Sequence, residues 1–389
     1  MTAATAEAAP PAAATGDVLL DLQHVSKYFP IRSGVLVQRE VGRVQAVTDV
    51  SLQVRRGHTL GLVGESGCGK STLARLIAGL YPITEGTITF DGEDITNLSS
   101  RRMRPFRRRI QMIFQDPYGS LNPRRRVGSI IGDPYSIHGA SGGDERRREV
   151  QHLMEVVGLN PEHYNRFPAE FSGGQRQRIG VARALALKPE LIICDEPVSA
   201  LDVSIQAQVV NLLEDLQDEF GLTYMFIAHD LSVVRHVSDD VAVMYLGRIG
   251  EVAPADQLYD HPRHPYTAAL LSAVPVPDPD LAGNRERVIL VGDVPSPINP
   301  PSGCFFHPRC PKAAEDCVEI RPELATTAGD PAVHLTACHH PVVDGEDIAH
   351  ATPSIEQPDA TADVAEVLAQ LADPPAPTDA ADDVLGGSP

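Results

Sequence analysis

One short loop constrains the fold of this chain more than any other feature. Gly64-Glu-Ser-Gly-Cys-Gly-Lys-Ser-Thr72 follows directly on the apolar run Thr59-Leu-Gly-Leu-Val63 and leads into a helical pattern over Thr72 to Leu80. This is the GxxxxGK[ST] arrangement, filled here by Gly64, Gly69, Lys70 and Ser71 between a strand and a helix. The glycines let backbone N–H groups curl around a phosphate, and the helix N-terminus adds a favourable dipole. Ser66, Gly67, Cys68, Gly69 and Thr72 share that cradle. Lys70 is expected to reach the β- and γ-phosphates of a nucleotide, and the Ser71 hydroxyl to ligate Mg²⁺.

The rest of the chain supplies the strands that such a loop requires. Apolar alternation over Val18 to Val25 and Val50 to Val54 reads as strands, and Ile88 to Phe90 before Asp91-Gly92 as a strand and tight turn. Leu191 to Cys194, Thr223 to Ala228 and Val241 to Leu246 read as buried strands. Ile205 to Phe220 carries Leu212, Leu213 and Leu216 at helical spacing. Strands alternating with helices imply an α/β core with a largely parallel sheet. Leu191-Ile-Ile-Cys-Asp-Glu-Pro197 puts two carboxylates at a strand's C-terminal edge, where α/β folds bind ligands. Asp195 suits a magnesium shell, and Glu196 is positioned to polarise an attacking water.

Between these two motifs lies Phe171-Ser-Gly-Gly-Gln175, and after them come Ser199-Ala-Leu-Asp202 and Ile227-Ala-His-Asp230. In order and spacing the five strings resemble the ATP-binding cassette of ABC proteins, over residues 18–255. The resemblance implies a P-loop domain with a RecA-like core, an antiparallel β subdomain and an α-helical subdomain at about 98–185. It implies ATP and Mg²⁺, and it places roles on matching positions. Gln115, in Ile113-Phe-Gln-Asp-Pro117, looks like the Q-loop glutamine that touches Mg²⁺. Ser172, Gly173, Gly174 and Gln175 resemble the signature motif that closes over a nucleotide held by a second subunit. Asp202 fits the D-loop, and His229 the histidine that contacts the γ-phosphate. The signature begins with Phe171 where Leu is usual. An adenine-stacking aromatic falls on Phe29 or on Tyr28, in Val25-Ser-Lys-Tyr-Phe29.

Past Glu251 proline becomes frequent and helical periodicity weakens. His261-Pro-Arg-His-Pro-Tyr-Thr-Ala-Ala-Leu-Leu-Ser-Ala-Val-Pro275, Gly303-Cys-Phe-Phe-His-Pro-Arg-Cys-Pro311 and Ala337-Cys-His339 resemble the C-terminal extension of dipeptide and oligopeptide importer subunits. The organisation expected is a disordered N-terminal arm at 1–16, the cassette at 17–260, a small cysteine-containing domain at 261–341 and an acidic disordered tail at 342–389. Cys304, Cys310, Cys317 and Cys338 follow the spacing C-x5-C-x6-C-x20-C, unlike zinc-ribbon or ferredoxin patterns. Four thiolates can hold Zn²⁺ or an iron–sulfur cluster. The resemblance favours a structural 4Fe-4S cluster.

Composition narrows the function classes. No run of about 18 apolar residues is present, so membrane-spanning subunits are expected on separate chains. Of the net charge of −19, eleven negative charges lie between Asp344 and Pro389, and neither portion has the basic balance of a nucleic-acid binder. The Arg101–Arg109 run, with six arginines, reads as an exposed helix. Taken with these features, the resemblance implies an importer ATPase on the cytoplasmic face of a bacterial membrane. Its expected partners are a second ATPase subunit, identical or related, two permease subunits and an extracytoplasmic solute-binding protein. Nickel or another small solute is the alternative cargo. A nucleic-acid-associated cassette would need a second cassette or a coiled-coil insertion, and neither is in the sequence.

Overall fold

The computed structural model describes residues 17–33, 39–139, 142–274, 287–327, 329–331 and 333–355. The arm at 1–16 and the tail beyond 355 lie outside the described residues, whereas residues 342–355, expected as the start of the disordered tail, are packed, with Val342 and Ile348 buried and Glu346 paired with Lys312. Strands β1 (Val18–Ser33), β2 (Arg39–Arg55), β4 (Glu85–Phe90) and β5 (Glu93–Asp94) form an antiparallel sheet in the order β2-β1-β4-β5. It is the antiparallel β layer that the resemblance implies.

The parallel half of the second sheet contains β3 (Thr59–Val63), β6 (Ile110–Ile113), β7 (Leu191–Asp195), β8 (Thr223–Ile227) and β9 (Asp240–Tyr245). With β10 (Arg248–Pro254), β11 (Ala325–Thr326) and β12 (Leu335–Thr336), the sheet has the order β11-β12-β10-β9-β3-β8-β7-β6. Every residue of β3, β7 and β8 is buried, which explains their continuous apolar runs. Helices α1 (Lys70–Ile77), α2 (Gly143–Val156), α3 (Gly173–Leu185) and α4 (Val203–Phe220) supply the flanking layers. In α4, Val209, Val210, Leu213 and Leu216 face inward at helical spacing. Strand β6 falls within the range expected to be helical, 98–185, but pairs with β7 in the core sheet. The Arg-rich run is broken at Pro105 into two short turns, Ser100–Met103 and Phe106–Arg109, which bury Met103 and Phe106. Arg109 pairs with Glu190 and Asp91, joining Arg56 in one surface ion network.

The C-terminal segment departs from the expected accessory domain. Strand β10 (Arg248–Pro254) turns back antiparallel on β9, β12 (Leu335–Thr336) pairs with β10, and β11 (Ala325–Thr326) pairs with β12. Phe305, Phe306, Cys310 and Ala313 belong to the same apolar cluster as Ile192 and Phe226 of the central strands. The segment therefore extends the cassette's sheet and shares its core. Its attachment is polar as well. Glu251 of β10, wholly buried, accepts hydrogen bonds from the backbone N–H groups of Arg263 (2.7 Å) and His264 (2.9 Å) and pairs with His334 (2.7 Å). Arg263 binds both oxygens of Asp330 at 2.8 and 2.6 Å. A buried carboxylate with three donors meets the demand that buried charge be fully hydrogen-bonded.

Candidate active site

The phosphate loop leaves β3 and enters α1 through three glycines with positive φ, Gly64, Gly67 and Gly69, two of which are pressed against backbone. Gly64 has φ +151°, and a Cβ there would stand 2.1 Å from the Met244 carbonyl oxygen. Gly69 has φ +111°, and its Cβ would meet the Ala46 carbonyl at 2.2 Å. Only glycine fits backbone this close to backbone. Lys70, almost wholly buried, turns its ammonium back onto the loop, donating to the carbonyls of Gly64 (2.7 Å) and Glu65 (2.9 Å). The first turn of α1 has backbone N–H groups with no helical partner, pointing where an anion would sit.

Ser71 Oγ donates to Asp195 Oδ1 at 2.8 Å, joining the loop to the end of β7. Burial pushes the Asp195 carboxyl above its usual range, and the Ser71 hydrogen bond works against that. A hydroxyl and a carboxylate facing each other across a loop that gathers phosphates are the hard oxygen donors that Mg²⁺ takes. One residue on, Glu196 holds φ +49°, a conformation rare for a non-glycine residue, and its N–H is bound by the Ile227 carbonyl at 2.9 Å. Gln115 Nε2 donates to Glu196 Oε2 at 2.7 Å, and His229 Nδ1 stands 3.7 Å from the same oxygen. The structure thus gathers Gln115, Glu196 and His229 at one point, beside the Ser71–Asp195 pair.

The signature residues stand apart from this group. Among the described residues, no hydrogen bond or ion pair joins residues 171–175 to residues 64–72. Ser172 caps α3 in a reciprocal box with Gln175: Ser172 Oγ accepts from the Gln175 N–H, and the Gln175 side chain accepts from the Ser172 N–H at 3.0 Å. Gln175 is therefore committed to the cap. A Cβ at Gly174 would strike Ile205 at 2.4 Å. Phe171 is buried against His163, so its departure from Leu is a matter of packing. Asp202 is exposed at the start of α4. Tyr28 pairs with Gln45, next to the Ala46 whose carbonyl abuts Gly69. Phe29 pairs with Val44 and lies edge-on to Tyr81 at 5.7 Å. Both aromatics are thus one strand removed from the loop.

The four clustered cysteines form no disulfide and draw together across the C-terminal segment. Cys310 lies within electrostatic reach of Cys304, Cys317 and Cys338. Burial raises every one of these thiols, Cys304 to about 11 and Cys338 to about 12. No three of the four sulfurs lie within 4.8 Å of one another; the tighter donor group is Asp316, Cys317 and His340. A single tetrahedral Zn²⁺ with bonds of about 2.3 Å needs its sulfurs roughly 4 Å apart. As placed, the four sulfurs do not form that arrangement.

Several residues that hold the site were not singled out by their sequence pattern. Glu65 binds Arg309 and Tyr266, Tyr245 touches Arg309, and Tyr245, Tyr266 and Phe306 form an aromatic cluster behind the loop. The signal for them was positional: Glu65 falls inside the phosphate-loop string, and Tyr266, Phe306 and Arg309 inside the two C-terminal motif strings.

Comparison with known proteins decides the family. The ABC transporter family profile matches residues 47–199, and the profile for the oligopeptide/dipeptide transporter C-terminal region matches residues 251–317. The chain is 57% identical to the oligopeptide transport ATP-binding protein AppF of Bacillus subtilis over 328 residues, 84% of this chain and 98% of AppF. This chain belongs to the oligopeptide/dipeptide ABC transporter ATP-binding family. Another family member, OppF of Salmonella typhimurium, is 53% identical over 79% of this chain and 92% of its own. DppF of Haemophilus influenzae, described as a dipeptide transport ATP-binding protein, is 50% identical over 83% of this chain and 96% of its own. Among solved structures, a dimeric post-hydrolysis state of the cassette MJ0796 bound to ADP and Pi superposes with a TM-score of 0.54. It is 27% identical and covers 61% of this chain and 99% of that one. The described part of this family member contains no helix long and apolar enough to cross a membrane.

Proposed function

We propose that this chain is the ATP-hydrolysing subunit of a peptide importer, and that its chemistry runs at the C-terminal ends of β3, β7 and β8. The observation that carries the reading is the meeting of Gln115 and His229 at the Glu196 carboxylate, beside the Ser71–Asp195 pair. Lys70 leaves the Gly64 and Glu65 carbonyls for the β- and γ-phosphates of ATP. Ser71, Asp195 and Gln115 would hold Mg²⁺, which neutralises charge on the phosphate oxygens. Glu196 orients and polarises water for in-line attack on the γ-phosphate, and His229, beside Glu196, contacts that same phosphate. Adenine stacks on Phe29 or Tyr28 at the edge of β1.

The signature residues lie away from this chain's own loop, so the complete site needs a second cassette. Ser172, Gly173 and Gly174 then close over the nucleotide of the facing subunit, and Asp202 borders the same interface. The membrane path and the solute-binding component are separate polypeptides, and this subunit works as a peripheral protein on the cytoplasmic face. Peptides are the cargo favoured by the family's named members. The four cysteines would hold a 4Fe-4S cluster, whose part is structural.

The direct test is Glu196→Gln in the full chain. ATP hydrolysis is expected to fall at least about 100-fold while Mg–ATP binding persists, as for loss of a general base. Unchanged turnover would refute the assignment.

A further inference from the structure

Glu65, the second residue of the phosphate loop, is held at every polar group it has. Its carboxylate receives both terminal nitrogens of Arg309, at 2.9 and 3.2 Å. Its backbone N–H donates to the Tyr266 hydroxyl at 2.9 Å, and its carbonyl accepts from Lys70 at 2.9 Å. Arg309 is itself enclosed: its side chain is 9% exposed, it contacts the Tyr245 hydroxyl at 3.4 Å, and its guanidinium lies 5.9 Å from that ring's centre. The pair is separated by 244 residues of sequence. Arg309 rides on the short turn His307–Arg309, which closes on the Cys304 carbonyl through the His307 N–H (3.1 Å) and Nδ1 (2.8 Å).

We propose that Arg309 is a positioning residue of the nucleotide site, acting through Glu65 to make the C-terminal segment a working part of the phosphate loop. The inference rests on residues 64–72 being that loop. A carboxylate inside a loop built to gather phosphates repels them unless its charge is answered, and water screens poorly in a half-buried site. The bidentate guanidinium answers that charge and fixes the carboxylate's plane, turning it away from the cradle. Tyr266 takes up the one N–H that would otherwise let Glu65 swing. What remains mobile is the Lys70 contact to the Glu65 carbonyl, which ATP must replace. Arg309 therefore keeps the loop in its ATP-accepting shape before the nucleotide arrives.

The test is a double-mutant cycle on the full chain, reading affinity for a fluorescent ATP analogue with Mg²⁺ together with KM and kcat. Arg309→Met is expected to weaken nucleotide binding by about ten-fold, the size of one lost charge-assisted hydrogen-bonded pair, and to raise KM more than it lowers kcat. Arg309→Lys should recover part of the loss. Glu65→Gln alone should weaken binding less than Arg309→Met does, because the amide keeps a hydrogen bond to the guanidinium, and Arg309→Met in the Glu65→Gln background should bind several-fold more tightly than Arg309→Met alone, because the unanswered charge is gone. Additive effects, or unchanged affinity in a folded Arg309→Met protein, overturn the proposal. If Arg309→Met does not fold, the same cycle with Arg309→Lys decides, since Lys should lose affinity only when Glu65 keeps its charge. Lys70→Met separates the two readings. Wild-type affinity in that variant overturns the loop assignment itself, whereas weak binding there with unchanged binding in Arg309→Met overturns only the role of Arg309.

Discussion

The phosphate loop and the cysteine-bearing segment lie against each other yet are built in opposite ways. The loop is local: Gly64 to Thr72 carries its own turn, its own helix start and its own lysine, and Ser71 is already paired with Asp195. The C-terminal segment is held from a distance. Its strands β11 and β12 have two residues each, and its anchors are Glu251 with His334, Arg263 with Asp330, and Arg309 with Glu65. Its sulfurs approach without closing on a common point tight enough for one zinc ion. The loop's contiguous backbone draws on distant residues at a few points, Asp195, Tyr266 and Arg309 among them, whereas the placement of the C-terminal segment depends on every anchor.

The largest effect should come from breaking the local site. Gly64→Ala must adopt φ +151° and place a Cβ against the Met244 carbonyl at 2.1 Å. We expect it to lose about 3 kcal/mol or more of stability and to abolish nucleotide binding, measured by denaturant unfolding and fluorescent-ATP titration. A protein with wild-type stability and affinity would show the loop to be more yielding than its geometry implies.

The distant site should respond less severely. Anaerobically purified protein is expected to contain iron and to absorb broadly in the visible, and Cys338→Ser to remove both. That variant should lower the melting temperature, and nucleotide affinity should fall by no more than in Arg309→Met, because the Arg309–Glu65 bonds stand independently of Cys338. Stoichiometric zinc with no visible band would rule out the cluster.

The smallest effect concerns pH. His264 caps the helix Pro265–Ser272 through Nδ1, which accepts the Tyr266 N–H, and burial depresses its pKa to about 4. In the unfolded chain it titrates at about 6.5. The fold favours the neutral ring, so its contribution is complete above about pH 6.5 and is lost as pH falls toward 4, on the order of 2 to 3 kcal/mol at most. The nearby Glu251 carboxylate, bound to the His264 backbone N–H, opposes part of that shift. His264→Asn retains a capping side chain and should flatten the stability profile between pH 6.5 and 5. An unchanged slope would assign the pH dependence to other groups.

Much of the candidate site was readable in the sequence because its chemistry is carried by strand ends. The runs at 59–63, 191–195 and 223–227 are wholly buried parallel strands, and an uninterrupted apolar run has few other homes. Gln115, Glu196 and His229 were nameable as separate motif positions, but their meeting at one carboxylate oxygen needed the sheet order β3-β8-β7-β6. The commitment of Gln175 to its helix cap was legible in principle, since Ser172 and Gln175 have capping-box spacing. The fusion of residues 261–341 with the main sheet was not, because two-residue strands carry no periodicity.

The sequence by itself determined the phosphate loop, the order of the motifs and the composition of the tail, because glycine placement, apolar period and charge act over a few residues. Only the tertiary structure decided that Glu65 belongs to Arg309, that Glu251 belongs to His334, and that the C-terminal segment is part of the cassette. Those pairs join residues 244 and 83 positions apart. No local pattern encodes such a partner; it is chosen by which charges burial brings together and leaves in need of an answer.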